Sequence, residues 1–151
     1  MRIAVASDHA GFELRQLILT WLERDGFEAV DFGCSSLDSV DYADYAILAV
    51  EAVTSGQCER AILVCGTGIG MSIAANKFPG IRASLCHDLF SARATREHND
   101  SNVLCLGARV VGPGVAEEIV NIWLHTEFAG GRHQRRLDKI TAIEQRFGGR
   151  S

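Results

Sequence analysis

No run of apolar residues in this 151-residue chain is long enough to cross a membrane; the first, Ile3 to Ala6, is cut short at Ser7-Asp8-His9. The same polar stop does not fit the longer apolar centre of a secretion signal. Positive charge is scarce as well. With 15 Lys and Arg against 19 Asp and Glu the formal charge is −4, which opposes a general attraction to nucleic acid or to an anionic membrane surface. The five cysteines, at 34, 58, 65, 86 and 105, have neither paired nor metal-ligand spacing, and their odd number fits free thiols in a reducing compartment. There is no internal repeat and no low-complexity tract. These absences predict a cytoplasmic, disulfide-free chain with no nucleic-acid and no membrane partner.

What is present is apolar patterning sufficient for one core: 47% of the residues are hydrophobic, and the length suits one domain. Short apolar runs alternate with stretches of helical period. Arg2 to Ala6, Phe27 to Phe32, Ala61 to Val64, Ile81 to Cys86 and Val103 to Leu106 read as strands. Between them Leu14, Leu17, Ile18, Trp21 and Leu22 mark one helix, and Tyr42, Tyr45, Ala46, Ala49, Val50 and Val53 a second. Met71 to Lys77 and Leu89 to Glu97 follow, then a helix with Val115, Ile119, Ile122 and Trp123 on its apolar face. A last helix carries Leu137, Ile140, Ile143 and Phe147, and residues 148–151 read as a flexible tail. Such alternation calls for a parallel sheet covered by helices on both faces. Ligands then bind beyond the carboxyl ends of the strands, so the informative residues are expected after strands one, three and five.

After strand three stands Cys65-Gly66-Thr67-Gly68-Ile69-Gly70, with three alternating glycines at a helix start. Several backbone N–H groups can there face one oxygen or phosphate, and a thiolate at that place can act as nucleophile or base. The same glycines also serve plain close packing of strand on helix. Two familiar uses fail on Met71: a dinucleotide fingerprint needs glycine there, and a cysteine phosphatase loop needs arginine. No Walker lysine-serine pair follows either. Asp8-His9 ends strand one and is either a ligand group or a solvent-facing loop. His98-Asn99-Asp100 offers an imidazole for proton transfer or a polar helix end. Arg132 and Arg136, four apart, suit one phosphate or a solvated basic face, and Arg109 beyond strand five could add a third contact. His87, His125 and His133 have no comparable partner in sequence and read as surface or structural.

Taken together, Ser7-Asp8-His9-Ala10-Gly11-Phe12, the Cys65 to Gly70 turn with Ala74-Ala75-Asn76-Lys77, His98-Asn99-Asp100, and Gly131-Arg132-His133 through Arg136 resemble the type B ribose-5-phosphate isomerases, in the same order and across Ile3 to about Phe147. The resemblance implies an α/β fold: one Rossmann-like three-layer sandwich domain over residues 1–147, with a five-stranded parallel sheet. It implies an aldose-ketose isomerase of the non-oxidative pentose phosphate branch, working through a cis-enediol with no metal and no cofactor. In it Cys65 would shuttle the proton between C1 and C2, supported by Thr67. The amides of Gly66, Gly68, Ile69 and Gly70 would hold the enediolate oxygen. His98 would open the furanose ring, Asp8 and Asn99 would bind sugar oxygens, and His9, Arg109, Arg132 and Arg136 the phosphate. Tyr42 matches a further substrate contact. The family has a second variant with a glutamate just after the glycine turn; Met71 stands at that position, so the chain resembles the cysteine-based one. The resemblance also implies a homodimer, open to pairing as a tetramer, in which His98, Asn99 and Arg109 face the Cys65 loop of the partner. Allose 6-phosphate, galactose 6-phosphate and four-carbon sugar phosphates are alternative substrates, and a non-catalytic sugar-phosphate sensor is the alternative of another class.

Overall fold

Ile3, Val5, Ile62, Val64, Leu104 and Leu106 point to one side of a sheet, and Ala4, Ala6, Ala61, Leu63, Val103 and Cys105 to the other, and all twelve are completely buried. Strands that are apolar at every position need cover on both faces, as a parallel sheet provides. In the computed structural model, which describes residues 1–148, five strands pair in parallel in the order β2-β1-β3-β5-β4. They are β1 (Arg2–Ser7), β2 (Glu28–Asp31), β3 (Arg60–Cys65), β4 (Ala83–Leu85) and β5 (Val103–Gly107). The edge strands β2 and β4 are shorter than their apolar runs, and the tail beyond Gly148 lies outside the described residues.

Helices α1 (Phe12–Arg24), α4 (Leu89–Asn99) and α5 (Pro113–His125) bury Ile18, Leu22, Ala92, Ile119 and Trp123 against one face. On the other face α2 (Tyr42–Thr54) and α3 (Ile69–Ala75) bury Ala46, Ala49, Val50, Met71 and Ala75. α3 therefore starts two residues before the expected Met71, directly on the glycine turn. Small residues on β1 and α2 let that helix lie close to the sheet, whereas Trp123 fills the opposite layer and donates its indole N–H to Ser101 Oγ at 2.8 Å.

α6 (Arg132–Phe147) packs on α4, outside these layers. Of its apolar residues only Leu137 is buried; Ile140, Ile143 and Phe147 are about half exposed, contrary to a helix whose stripe faces its own core. Leu17 and Val115 likewise lie outside the buried faces of α1 and α5.

Candidate active site

The candidate side chains fall into two groups, and the sheet keeps them apart. The first stands beyond the carboxyl ends of β1, β3 and β5. Cys65 is the last residue of β3, nearly buried, and its Sγ accepts the Gly68 N–H at 3.1 Å. That bond depends on Gly68 adopting φ +74°, a left-handed conformation, in a place where a Cβ would lie 2.8 Å from the Leu106 carbonyl carbon. Thr67 Oγ1 accepts the Ile69 N–H at 3.3 Å, and both side chains reach solvent. Gly68 and Ile69 thus direct their amides at Cys65 and Thr67, a use of these N–H groups that glycine spacing does not disclose. The Tyr42 ring lies over Gly70, 2.6 Å from where a Cβ would stand.

Asp8 is buried and its Oδ1 accepts the Gly11 N–H at 3.1 Å, which closes the turn into α1. His9 Nδ1 accepts the Val40 N–H at 3.1 Å. The neutral ring therefore carries its proton on Nε2, as a donor for a ligand oxygen. Arg109 donates its backbone N–H to the Gly66 carbonyl at 3.0 Å, and its side chain passes beside Gly66. Arg109 accordingly stands at the Cys65 loop of its own chain; the expectation that it faces a partner's loop is corrected, because it follows β5, which pairs with β3 in parallel register. His87 supports the same end, its Nε2 accepting the Gly107 N–H at 3.0 Å.

The second group lies at the opposite end of the sheet. α4 runs back from the carboxyl end of β4 to the amino end of β5, so His98 and Asn99, on its last turn, sit near Val103, which pairs with Ala61 at the start of β3. Four residues of strand, ~13 Å, separate that level from Cys65. His98, Asn99, Arg132, His133 and Arg136 line a depression of about 440 Å³ between α4 and α6. The first group follows strands one, three and five, where ligand-binding residues are expected in a parallel sheet; this group does not, because α4 and α6 present these candidate residues at the amino end of the sheet.

This second group is rigidly built. Asp100, in the left-handed region at φ 45°, ends α4, and its carboxylate meets Arg96 Nη1 at 2.8 Å and Arg82 Nη2 at 3.1 Å. Arg82 also donates to the Asn99 carbonyl at 2.8 Å, and Arg96 to the Ser101 carbonyl at 2.6 Å. His133 stacks on His98 with ring centroids 4.4 Å apart. Desolvation of its half-buried ring, then His98, Arg132 and Arg136, hold the His133 pKa below the usual histidine range. The contacts of Arg82 with Asp100 and of His133 with His98 are not visible in sequence, since their partners are far apart along the chain; the local signals are the i,i+4 pair of Arg96 and Asp100 and the placing of His133 between two arginines.

No helix among the described residues is long and apolar enough to cross a membrane, and no cluster of metal-binding side chains occurs among them. A family profile described as Ribose/Galactose Isomerase matches residues 3–140. Ribose-5-phosphate isomerase B of Escherichia coli is 50% identical over 145 residues, which is 96% of this chain and 97% of that one. A D-erythrulose-4-phosphate isomerase of Pectobacterium atrosepticum is 40% identical over 145 residues, 95% of each chain. The solved structure of Clostridium thermocellum ribose-5-phosphate isomerase B superposes with a TM-score of 0.96 at 51% identity, covering 97% of this chain and 99% of that one.

Proposed function

The chain belongs to the ribose/galactose isomerase family, and on that premise we propose that it interconverts D-ribose 5-phosphate and D-ribulose 5-phosphate through a cis-enediol, as a homodimer whose active sites are each shared by two subunits. The observation that supports the shared site is the split just described. The proton-transfer group and the ring-opening and phosphate groups stand at opposite ends of one sheet, so one chain cannot close both around a five-carbon sugar. A two-fold dimer that brings the carboxyl end of one sheet to the amino end of the other completes two sites at once. The half-exposed apolar face of α6 fits this arrangement. Ile140, Ile143 and Phe147 border a groove of about 1080 Å³ that runs on to Asn99, a residue of the second group, and a second copy covering it removes apolar surface from water.

Within such a site the chemistry follows from two difficulties of aldose-ketose exchange: the sugar is closed, and the proton on carbon beside a carbonyl is held tightly. His98 of the partner subunit opens the furanose by proton transfer, with Asn99 of the partner subunit and Asp8 on the sugar hydroxyls. Cys65, as thiolate, then takes the proton from C2 and returns it to C1. Its sulfur already accepts the Gly68 N–H, a donor at the atom that is negative whenever the proton is away. The Gly68 and Ile69 amides are taken by Cys65 and Thr67, so Thr67 with the amides of Gly66 and Gly70 faces the oxygen to which charge moves; one such donor is worth about 3–4 kcal/mol in the transition state. His9, Arg109, Arg132 and Arg136 hold the phosphate, and that remote binding fixes the reacting carbons against Cys65. Residues 1–147 act as one catalytic domain, and the cysteines, all free, suit a cytoplasmic enzyme.

The same machinery serves sugars of other lengths, so the test is a panel: ribose 5-phosphate, allose 6-phosphate, galactose 6-phosphate and erythrulose 4-phosphate assayed with the purified protein. The highest kcat/KM is expected for ribose 5-phosphate. A higher value for the four-carbon substrate, as the name of the Pectobacterium relative admits, would replace that substrate, and calorimetric binding without turnover of any sugar would make the protein a sensor.

A further inference from the structure

His98 stands on the last turn of α4 with its side chain 44% exposed, where an imidazole rotates about two bonds unless something covers it. His133, on the first turn of α6, covers one face: the rings are parallel to within 13°. Glu97 approaches the edge, its Oε2 4.0 Å from His98 Nε2. His133 is itself anchored by its backbone N–H on the Gly130 carbonyl at 3.0 Å, so its ring is presented from a fixed point on a different element. Partial burial and the surrounding His98, Arg132 and Arg136 favour its neutral form and outweigh the opposing charge of Glu97. A neutral ring can stay stacked in either protonation state that His98 passes through, whereas a charged one would be repelled by two arginines and by protonated His98.

We propose that His133 is the positioning residue for ring opening: by stacking it fixes the plane of the His98 imidazole so that a ring nitrogen stays aimed at the closed sugar, and it exchanges no proton with the substrate. This rests on the assignment of ring opening to His98.

Substrate chemistry separates that step from enolisation. Ribose 5-phosphate closes through its C4 hydroxyl, but the hydroxyl through which ribulose 5-phosphate would form a five-membered ring carries the phosphate, so the ketose is open. His133→Ala, His133→Phe and His98→Ala are therefore compared in two assays: turnover of ribose 5-phosphate, and exchange of the ribulose 5-phosphate C1 proton with deuterated solvent, followed by NMR. His133→Ala is expected to lower kcat for ribose 5-phosphate about tenfold with KM within about twofold, and to leave exchange at the wild-type rate. His133→Phe, which keeps a flat ring, is expected to restore most of the loss. The proposal is overturned if phenylalanine is no better than alanine, if exchange falls in parallel with turnover, or if KM rises at unchanged kcat, which would put His133 on the phosphate. If His98→Ala itself turns over ribose 5-phosphate normally, the ring-opening assignment fails and the proposal with it, a result distinct from the other three.

Discussion

Cys65 differs from Cys58, Cys86 and Cys105 in what surrounds its sulfur. Burial raises the thiol pKa of Cys58, of Cys86 to about 11, and of Cys105 further, with Cys65 and Cys86 adding to the effect on Cys105. Such thiols stay protonated and inert. Cys65 instead ends its strand at the turn and receives a backbone N–H. Cys65→Ala is expected to abolish both ribose 5-phosphate turnover and solvent exchange at ribulose 5-phosphate C1 while leaving substrate affinity within about threefold, since in the proposed reaction the sulfur takes up a proton and does not hold the phosphate. Continued exchange at the wild-type rate would remove Cys65 as the base. Gly68→Ala tests the bond directly. The required left-handed φ costs a residue with a Cβ about 1–2 kcal/mol, the contact with Leu106 adds to it, and relief of either turns the N–H away from sulfur. A lower urea midpoint together with a kcat at least about tenfold down is expected; a variant with wild-type kcat would show that the amide has no part in the reaction.

At the scale of the elements, the loop after β2 depends on one buried guanidinium. Arg15 of α1 is 2% exposed and donates to Ser7 Oγ at 2.7 Å and to the Cys34 carbonyl at 2.6 Å, with Asp31 Oδ1 3.2 Å from its Nε. The loop so held ends at Val40, whose N–H sets the His9 tautomer. Arg15→Ala leaves Ser7 and the Cys34 carbonyl without a partner in the interior, and should cost about 3 kcal/mol in urea unfolding and raise KM through His9. An unchanged KM in the folded variant would separate this loop from the site. These elements also show how far sequence reaches. β1, β3 and β5 are legible because unbroken apolar runs leave no alternative to a strand buried on both faces, and the Cys65 turn follows from them. The end of the sheet that His98 reaches follows from the parallel order, because a helix leading into β5 runs back to the amino end; what is not legible is the surface that meets it there. Arg15 reads as one polar residue on an amphipathic helix, and Ile140, Ile143 and Phe147 as an ordinary core stripe, because periodicity reports an apolar face and not what covers it.

For the whole molecule, the placement of the two groups makes a statement about subunits. In the proposed dimer one protomer would contribute Cys65, Thr67, Asp8, His9 and Arg109, and the other would contribute His98, Asn99, Arg132 and Arg136. In a two-fold dimer every protomer takes both parts, once in each site. Stability and activity are then linked: dilution below the dimer dissociation constant would remove both sites together. The most direct measurement of this claim is complementation between Cys65→Ala and His98→Ala chains, each inactive toward ribose 5-phosphate alone, co-expressed with different tags or refolded together. In a mixed dimer with shared sites, one site collects both substitutions and the other is wild type, so equal random mixing should restore about a quarter of the wild-type specific activity. If each site is instead built within a single chain, every site in the mixture carries one substitution, and activity that stays at the level of the parent variants in verified mixed dimers would contradict the account.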